Sequence, residues 1–112
     1  MEIRTEVLKR CVVLSVSGRI DSASAPEFEA RLLDLIGEGQ RNLVVSMKDV
    51  TLISSSGLRA LVTAQIKLRR AVPRGDVVLS ELPHLVRESM ELVGFQHMFQ
   101  IFDGDLDAVG SF

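Results

Sequence analysis

Short aliphatic runs alternate with segments of helical period along this chain, and that alternation constrains the fold more than any other feature. Cys11-Val12-Val13-Leu14-Ser15-Val16, Leu43-Val44-Val45-Ser46-Met47 and Val77-Val78-Leu79 read as buried strands. Between the first two, Phe28, Leu32, Leu35 and Ile36 fall on one apolar stripe, the mark of an amphipathic helix. Between the second and third, Leu58, Leu61, Val62 and Ile66 form the stripe of another helix, from about Ser56 to Ala71.

The punctuation agrees with this division. Ile3, Thr5 and Val7 alternate with Glu2, Arg4 and Glu6, which predicts a half-exposed strand. Lys9-Arg10 is the turn of an antiparallel hairpin, and Gly18 ends its second strand. Ser24, followed by Ala25-Pro26-Glu27, is a helix start: a capping residue, Pro in the first turn and Glu three positions on. Gly37 and Gly39 stop that helix. Residues 48–53 lead from the third strand into Ser54-Ser55-Ser56-Gly57-Leu58. Pro73 and Gly75 break the second helix, whose last turns carry Lys67, Arg69 and Arg70 to complement its dipole. Pro83 starts a third helix that Gly94 closes after Val93, and residues 98–102 form a last short strand. Asp103 to Asp107 is a polar, exposed tail. The order β β α β α β α β gives an α/β fold: a small mixed β-sheet with an opening antiparallel hairpin and alternating β-α units in a single domain, 1–112.

Composition narrows the function. With 13 basic and 15 acidic residues, the net charge of -2 gives no strong pull on nucleic acid or anionic lipid, so the expected partner is a protein or a small molecule. Five Phe without Trp or Tyr make a poor stacking platform. Cys11 is the only cysteine, so no internal disulfide can form and a reducing compartment fits. The N-terminus lacks an apolar signal core, and no apolar run approaches the roughly 20 residues that span a bilayer, so the expected location is cytoplasmic, without membrane insertion.

Catalytic and metal signatures are absent. There is no G-x-S-x-G elbow, and His84 and His97 are the only candidate bases. One Cys and two separated His offer no zinc spacing. Asp103, Asp105 and Asp107 lack the Gly and closing Glu of a calcium loop. No phosphate-cradling G-x-x-x-x-G-K-[ST] loop occurs. The chain reads as a non-enzyme with no metal or cofactor.

Three serines and a glycine between a strand and a helix are the remaining chemical feature. The first turn of a helix carries unpaired N–H groups and the positive end of the dipole. Ser54 to Ser56 are helix caps on the plainest reading, and a latent phosphate site on the other. Gly57 leaves room for another backbone or a phosphate to approach. Asp21 is a turn or cap residue before the first helix, or part of a surface beside the serines; Arg59 is a solvated side chain, or a contact to a partner or phosphate. Met90, Phe95, Met98, Phe99 and Phe102 pack the core and a lid, or form an exposed patch for a homodimer.

Two segments carry a family resemblance. GRIDSASAP resembles G-E-[IL]-D-x-x-[ST]-A at Gly18, Ile20, Asp21, Ser24 and Ala25. LVVSMKDVTLISSSGLRAL resembles a buried strand followed by D-V-x-[FY]-[IM] and D-S-[ST]-G-L. Both are signatures of the STAS family, the fold of anti-sigma-factor antagonists. The resemblance implies partner switching. The unphosphorylated protein binds a serine kinase that is also the anti-sigma factor, phosphorylation releases it, and a PP2C-type phosphatase resets it. It implies Ser55 as the phosphoacceptor, with Ser56 second, and a partner surface at Asp21, Ser22, Ser24, Ser54, Ser56, Gly57, Leu58 and Arg59. The chain departs from the pattern at Ser54, where the family has aspartate; a hydroxyl there can cap but brings no charge. Some STAS domains serve instead as unphosphorylated adaptor subunits of membrane transport complexes.

Overall fold

A computed structural model describes residues 1–112. Five strands, β1 (Glu2–Val7), β2 (Val12–Ile20), β3 (Asn42–Ile53), β4 (Asp76–Ser80) and β5 (Gln100–Phe102), form one sheet in the order in which they occur along the chain. β1 and β2 pair antiparallel around the Lys9-Arg10 turn, and every later pair is parallel. The helices α1 (Ala25–Gly37), α2 (Ser55–Arg70) and α3 (His84–Val93) supply the crossovers. A short fourth helix, α4 (Asp105–Gly110), ends the fold.

The period-two side-chain alternation of the strands sorts residues between two cores. Val12, Leu14, Leu43, Val45, Met47, Val77 and Leu79 join Phe28, Leu32, Leu61, Leu68, Val86 and Met90 in the main core, so α1, α2 and α3 all cover one face. Cys11, Val44, Val78 and Ala108 form a smaller cluster beneath α4 on the other. Burial pushes the Cys11 thiol above its ordinary range.

The structure changes several sequence expectations. Gly18 does not end β2. It sits at φ +85° where the β2–β3 register shifts twice, and the bulged strand continues to Ile20. β3 does not stop at Met47; it runs on through the exposed Lys48 and Asp49 to Ile53. Ile66 does not face the core. The buried stripe of α2 is Leu58, Leu61, Ala64, Gln65 and Leu68, and the small or polar members of that stripe disguise its phase. Gln65 is fully buried: its Nε2 donates to the carbonyls of Val77 (3.1 Å) and Met98 (2.9 Å), and its Oε1 accepts from the Val77 N–H (2.8 Å). These bonds tie α2 to β4 and to the 3-10 turn at Phe95–Met98, which shortens the predicted last strand.

The polar tail is likewise structured. Asp105 opens α4 and accepts a hydrogen bond from the Ser80 hydroxyl, while Ala108 is buried. Met90 and Phe99 are buried, and Phe95 and Met98 pack against the main core, so these residues go to packing rather than to an exposed patch; Phe102 packs into the smaller cluster.

Candidate functional site

Ser54 lies where β3 becomes α2. Its backbone is extended (φ -84°, ψ 170°), its carbonyl accepts from the Leu58 N–H (3.0 Å), and its Oγ accepts from the Gly57 N–H (3.2 Å). The hydroxyl therefore satisfies one of the orphan donors of the first turn. Ser55 follows as the first helical residue and is exposed; Ser56 is half-buried. No acidic residue occupies the first turn of α2, so the positive end of its dipole is uncompensated. Arg59 is exposed, four residues after Ser55 and three after Ser56, a spacing at which side chains meet on a helix.

Gly57 and Leu58, both expected on the partner surface, are buried. A Cβ on Gly57 would lie 2.7 Å from Ile20 Cγ2 and 2.9 Å from Ile53 Cγ1. The glycine is required by helix–sheet packing and does not open a path for an incoming group. Leu58, 3% exposed, anchors the first turn of α2 in the core.

A second loop sits beside the first. The Ser54 N–H donates to the Ile20 carbonyl (2.7 Å), and Asp21 follows directly. Asp21 Oδ1 accepts from the N–H groups of Ala23 (3.1 Å) and Ser24 (3.0 Å), while Ser24 Oγ accepts from the Asp21 N–H (2.9 Å). The Ser24 hydroxyl proton can reach Asp21 Oδ1 (3.1 Å) or the Arg19 carbonyl (3.0 Å). This is a reciprocal capping box, three residues earlier than the predicted Ser24–Glu27 pair; the Ser24 side chain caps no N–H of α1. Hydrogen bonds from Ser24, backbone first and hydroxyl second, hold the Asp21 carboxyl below its usual range. Arg19 Nε, 3.9 Å from Asp21 Oδ2, adds a smaller effect of the same sign.

A shallow groove of about 180 Å³ joins the two loops. Ser22, Pro26 and Glu29 line one side, and Ser56, Arg59 and Thr63 the other. The fold thus brings Ser22 together with Ser56 and Arg59. On the other flank, Leu52 of β3 borders a groove with Leu85 and Leu92 of α3. Leu85 (65%) and Leu92 (81%) are among the most exposed large apolar residues of the chain. Sequence reasoning missed these two leucines. Their signal is a spacing of seven on the helix face away from Val86 and Met90.

Comparison with known proteins agrees with this geometry. The STAS domain family model matches residues 2–107. A candidate anti-sigma factor antagonist of Bordetella bronchiseptica, BtrV, is 30% identical over 112 residues, covering 100% of this chain and 95% of BtrV. The crystal structure of an anti-sigma factor antagonist from Mycobacterium paratuberculosis superimposes with a TM-score of 0.88 at 24% identity, over 98% of this chain and 92% of that one. The Bacillus cell fate determinant SpoIIAA shares the fold in two forms. The unphosphorylated form has a TM-score of 0.84 at 16% identity and covers 98% of this chain and 95% of that one. The phosphorylated form has a TM-score of 0.76 at 18% identity and covers 98% of both.

Proposed function

The chain belongs to the STAS domain family, and from that premise we propose that it is an anti-sigma factor antagonist whose partner binding is controlled by phosphorylation of Ser55. In this reading the unphosphorylated protein occupies a serine kinase that is also an anti-sigma factor, and sigma factor is released. Phosphorylation of Ser55 ends the complex, and a PP2C-type phosphatase restores it. The protein acts as a cytoplasmic regulator and not as an enzyme. No helix is long and apolar enough to cross a membrane.

The observation that carries the proposal is the exposure of Ser55 at the first position of α2, on a turn already capped by Ser54. The acceptor hydroxyl is free of capping duty. A phosphate there would add about -1.5 to -2 charges, beside the uncompensated end of the dipole and within reach of Arg59. Ser56, deeper in the groove, is the second choice. Asp21, Ser22, Ser24, Ser54, Ser56 and Arg59 form the docking rim. Gly57 and Leu58 position the turn from beneath, and Leu52, Leu85 and Leu92 offer apolar contact on its other flank. The adaptor reading, an unphosphorylated subunit of a membrane transport complex, draws on one observation: Ser54 brings no carboxylate to the turn.

Incubation with the cognate kinase and ATP tests the proposal. Intact mass should show one phosphate on wild type and on Ser56→Ala, and none on Ser55→Ala. A phosphate persisting on Ser55→Ala would sink the assignment. Kinase captured equally by wild type and Ser55→Asp would favour the adaptor.

A further inference from the structure

An open cleft of about 730 Å³ lies between the C-terminal ends of α1 and α2, at the opposite end of α2 from the serine turn. Its size is that of small-molecule sites, which run from about 300 to 1,000 Å³. Arg41, Lys67 and Arg70 line it, and no acidic side chain does. None of these three cations takes part in a salt bridge. The C-terminal ends of α1 and α2 offset about half a charge each, which leaves the cleft a net positive site in a chain of net charge -2. Ile36, Ile66 and Ala71 supply an apolar wall, and Ile66 is 39% exposed there.

Arg41 is fixed in place. Its Nη1 donates to the carbonyls of Ile36 (3.1 Å) and Gln40 (3.0 Å), and its own carbonyl accepts from the Asp76 N–H (2.9 Å). Gly75 packs so closely on the Arg41 carbonyl that a Cβ has no room. The Arg41 Nε is buried without a hydrogen-bond partner and lies out of reach of a ligand, so Nη2 is the guanidinium nitrogen left to meet one. A held guanidinium loses little freedom when it receives an anion. Gly37, also on the lining, has nothing within 4 Å of where its Cβ would stand.

We propose that this cleft binds an amphiphilic anion, an aliphatic chain carrying a phosphate or carboxylate head group. Arg41, Lys67 and Arg70 hold the head, and the chain lies along Ile36, Ile66 and Ala71. Arg suits the planar or tetrahedral oxygens of such heads. The site does not depend on the phosphorylation reading. A free metabolite and a membrane lipid share this chemistry.

Octyl phosphate is the probe, titrated into the full chain and followed by backbone amide NMR. The expected result is saturable shifts around Gly37, Arg41 and residues 66–71, with octanol and inorganic phosphate each weaker by at least about tenfold. The Lys67→Gln/Arg70→Gln variant should bind at least about tenfold more weakly. Gly37→Leu fills the cleft at a position where leucine is the better helix former, so it should stay folded and lose binding. Co-sedimentation with phosphatidylglycerol vesicles, lost in both variants, assigns the head group to a lipid; octyl phosphate binding without vesicle binding assigns it to a free amphiphile. No saturable shift with octyl phosphate, or undiminished binding by folded Gly37→Leu, overturns the proposal.

Discussion

Ser54 and Ile20 are joined through their backbones: the Ser54 N–H donates to the Ile20 carbonyl at 2.7 Å. That one bond fastens the serine turn to the strand end from which Asp21 departs. The serine turn and the Asp21 loop therefore share one base, and Gly57 packs against the side chains of Ile20 and Ile53 just beneath them.

The cap at this junction can be tested by exchange. Ser54→Ala removes the acceptor for the Gly57 N–H and should cost about 1 kcal/mol in urea unfolding. Ser54→Asp should hold wild-type stability, since a carboxylate caps equally well and favours the positive helix end. An aspartate variant as unstable as the alanine variant would show that the hydroxyl does something other than cap.

Gly57→Ala should be destabilising although alanine is the better helix former. Overpacking against Ile20 and Ile53 costs about 1–3 kcal/mol, while the gain in helix propensity is about 1 kcal/mol. A net loss of up to about 2 kcal/mol is expected in the same unfolding assay. Stabilisation would mean that the strand ends yield without strain.

The lone fully buried amide on α2 offers a larger effect. Gln65→Leu keeps the volume but strips this partner from the Val77 N–H and carbonyl, while the Met98 carbonyl keeps its hydrogen bond from Arg69 Nη2 (2.8 Å). Unpaired buried groups cost about 1–3 kcal/mol each, so with two such groups a loss of at least about 2 kcal/mol is expected. Amide exchange should rise first in the 3-10 turn that carries Met98.

Much of this arrangement is legible in the sequence because its signals are local. The hairpin, the helix stripes and the Gly94 stop follow from neighbouring residues. The family motifs single out the serine turn and Asp21. Three of the misreadings share a source, since each depends on a partner distant in sequence. Gly18 resembles a strand end until its pairing with β3 shows a bulge. Ile66 continues an apolar period, yet Ala64 and Gln65 take the inward face because α2 packs on α1 and β4 together. The tail reads as solvated because Ser80, which receives Asp105, lies 25 residues away. Asp21 and Ser24 show the reverse: the capping box is local, but two overlapping candidates compete and geometry selects the earlier one.

Asp105 makes stability depend on pH. Burial opposes its charge, but hydrogen bonding from Ser80, then Ser46, together with the charge of Lys48, leaves the carboxyl below its ordinary range. A folded value lower than the unfolded one means that ionised Asp105 contributes its full stability above the ordinary carboxylate range. The contribution is lost as pH falls through the folded value. Asp105→Asn should therefore be less stable than wild type near about pH 7, and the gap should narrow toward about pH 3. Unfolding midpoints measured across that range check both statements, and a gap constant with pH would contradict them.

The strand order across the sheet is also the order in which the strands are synthesised. Each new strand leaving the ribosome finds its lateral neighbour already made, and no slot is left open for a later segment to thread. The hydrogen bonds that shape the serine turn join Ile20, Ser54, Gly57 and Leu58, so every partner they need precedes β4 and β5 in the chain.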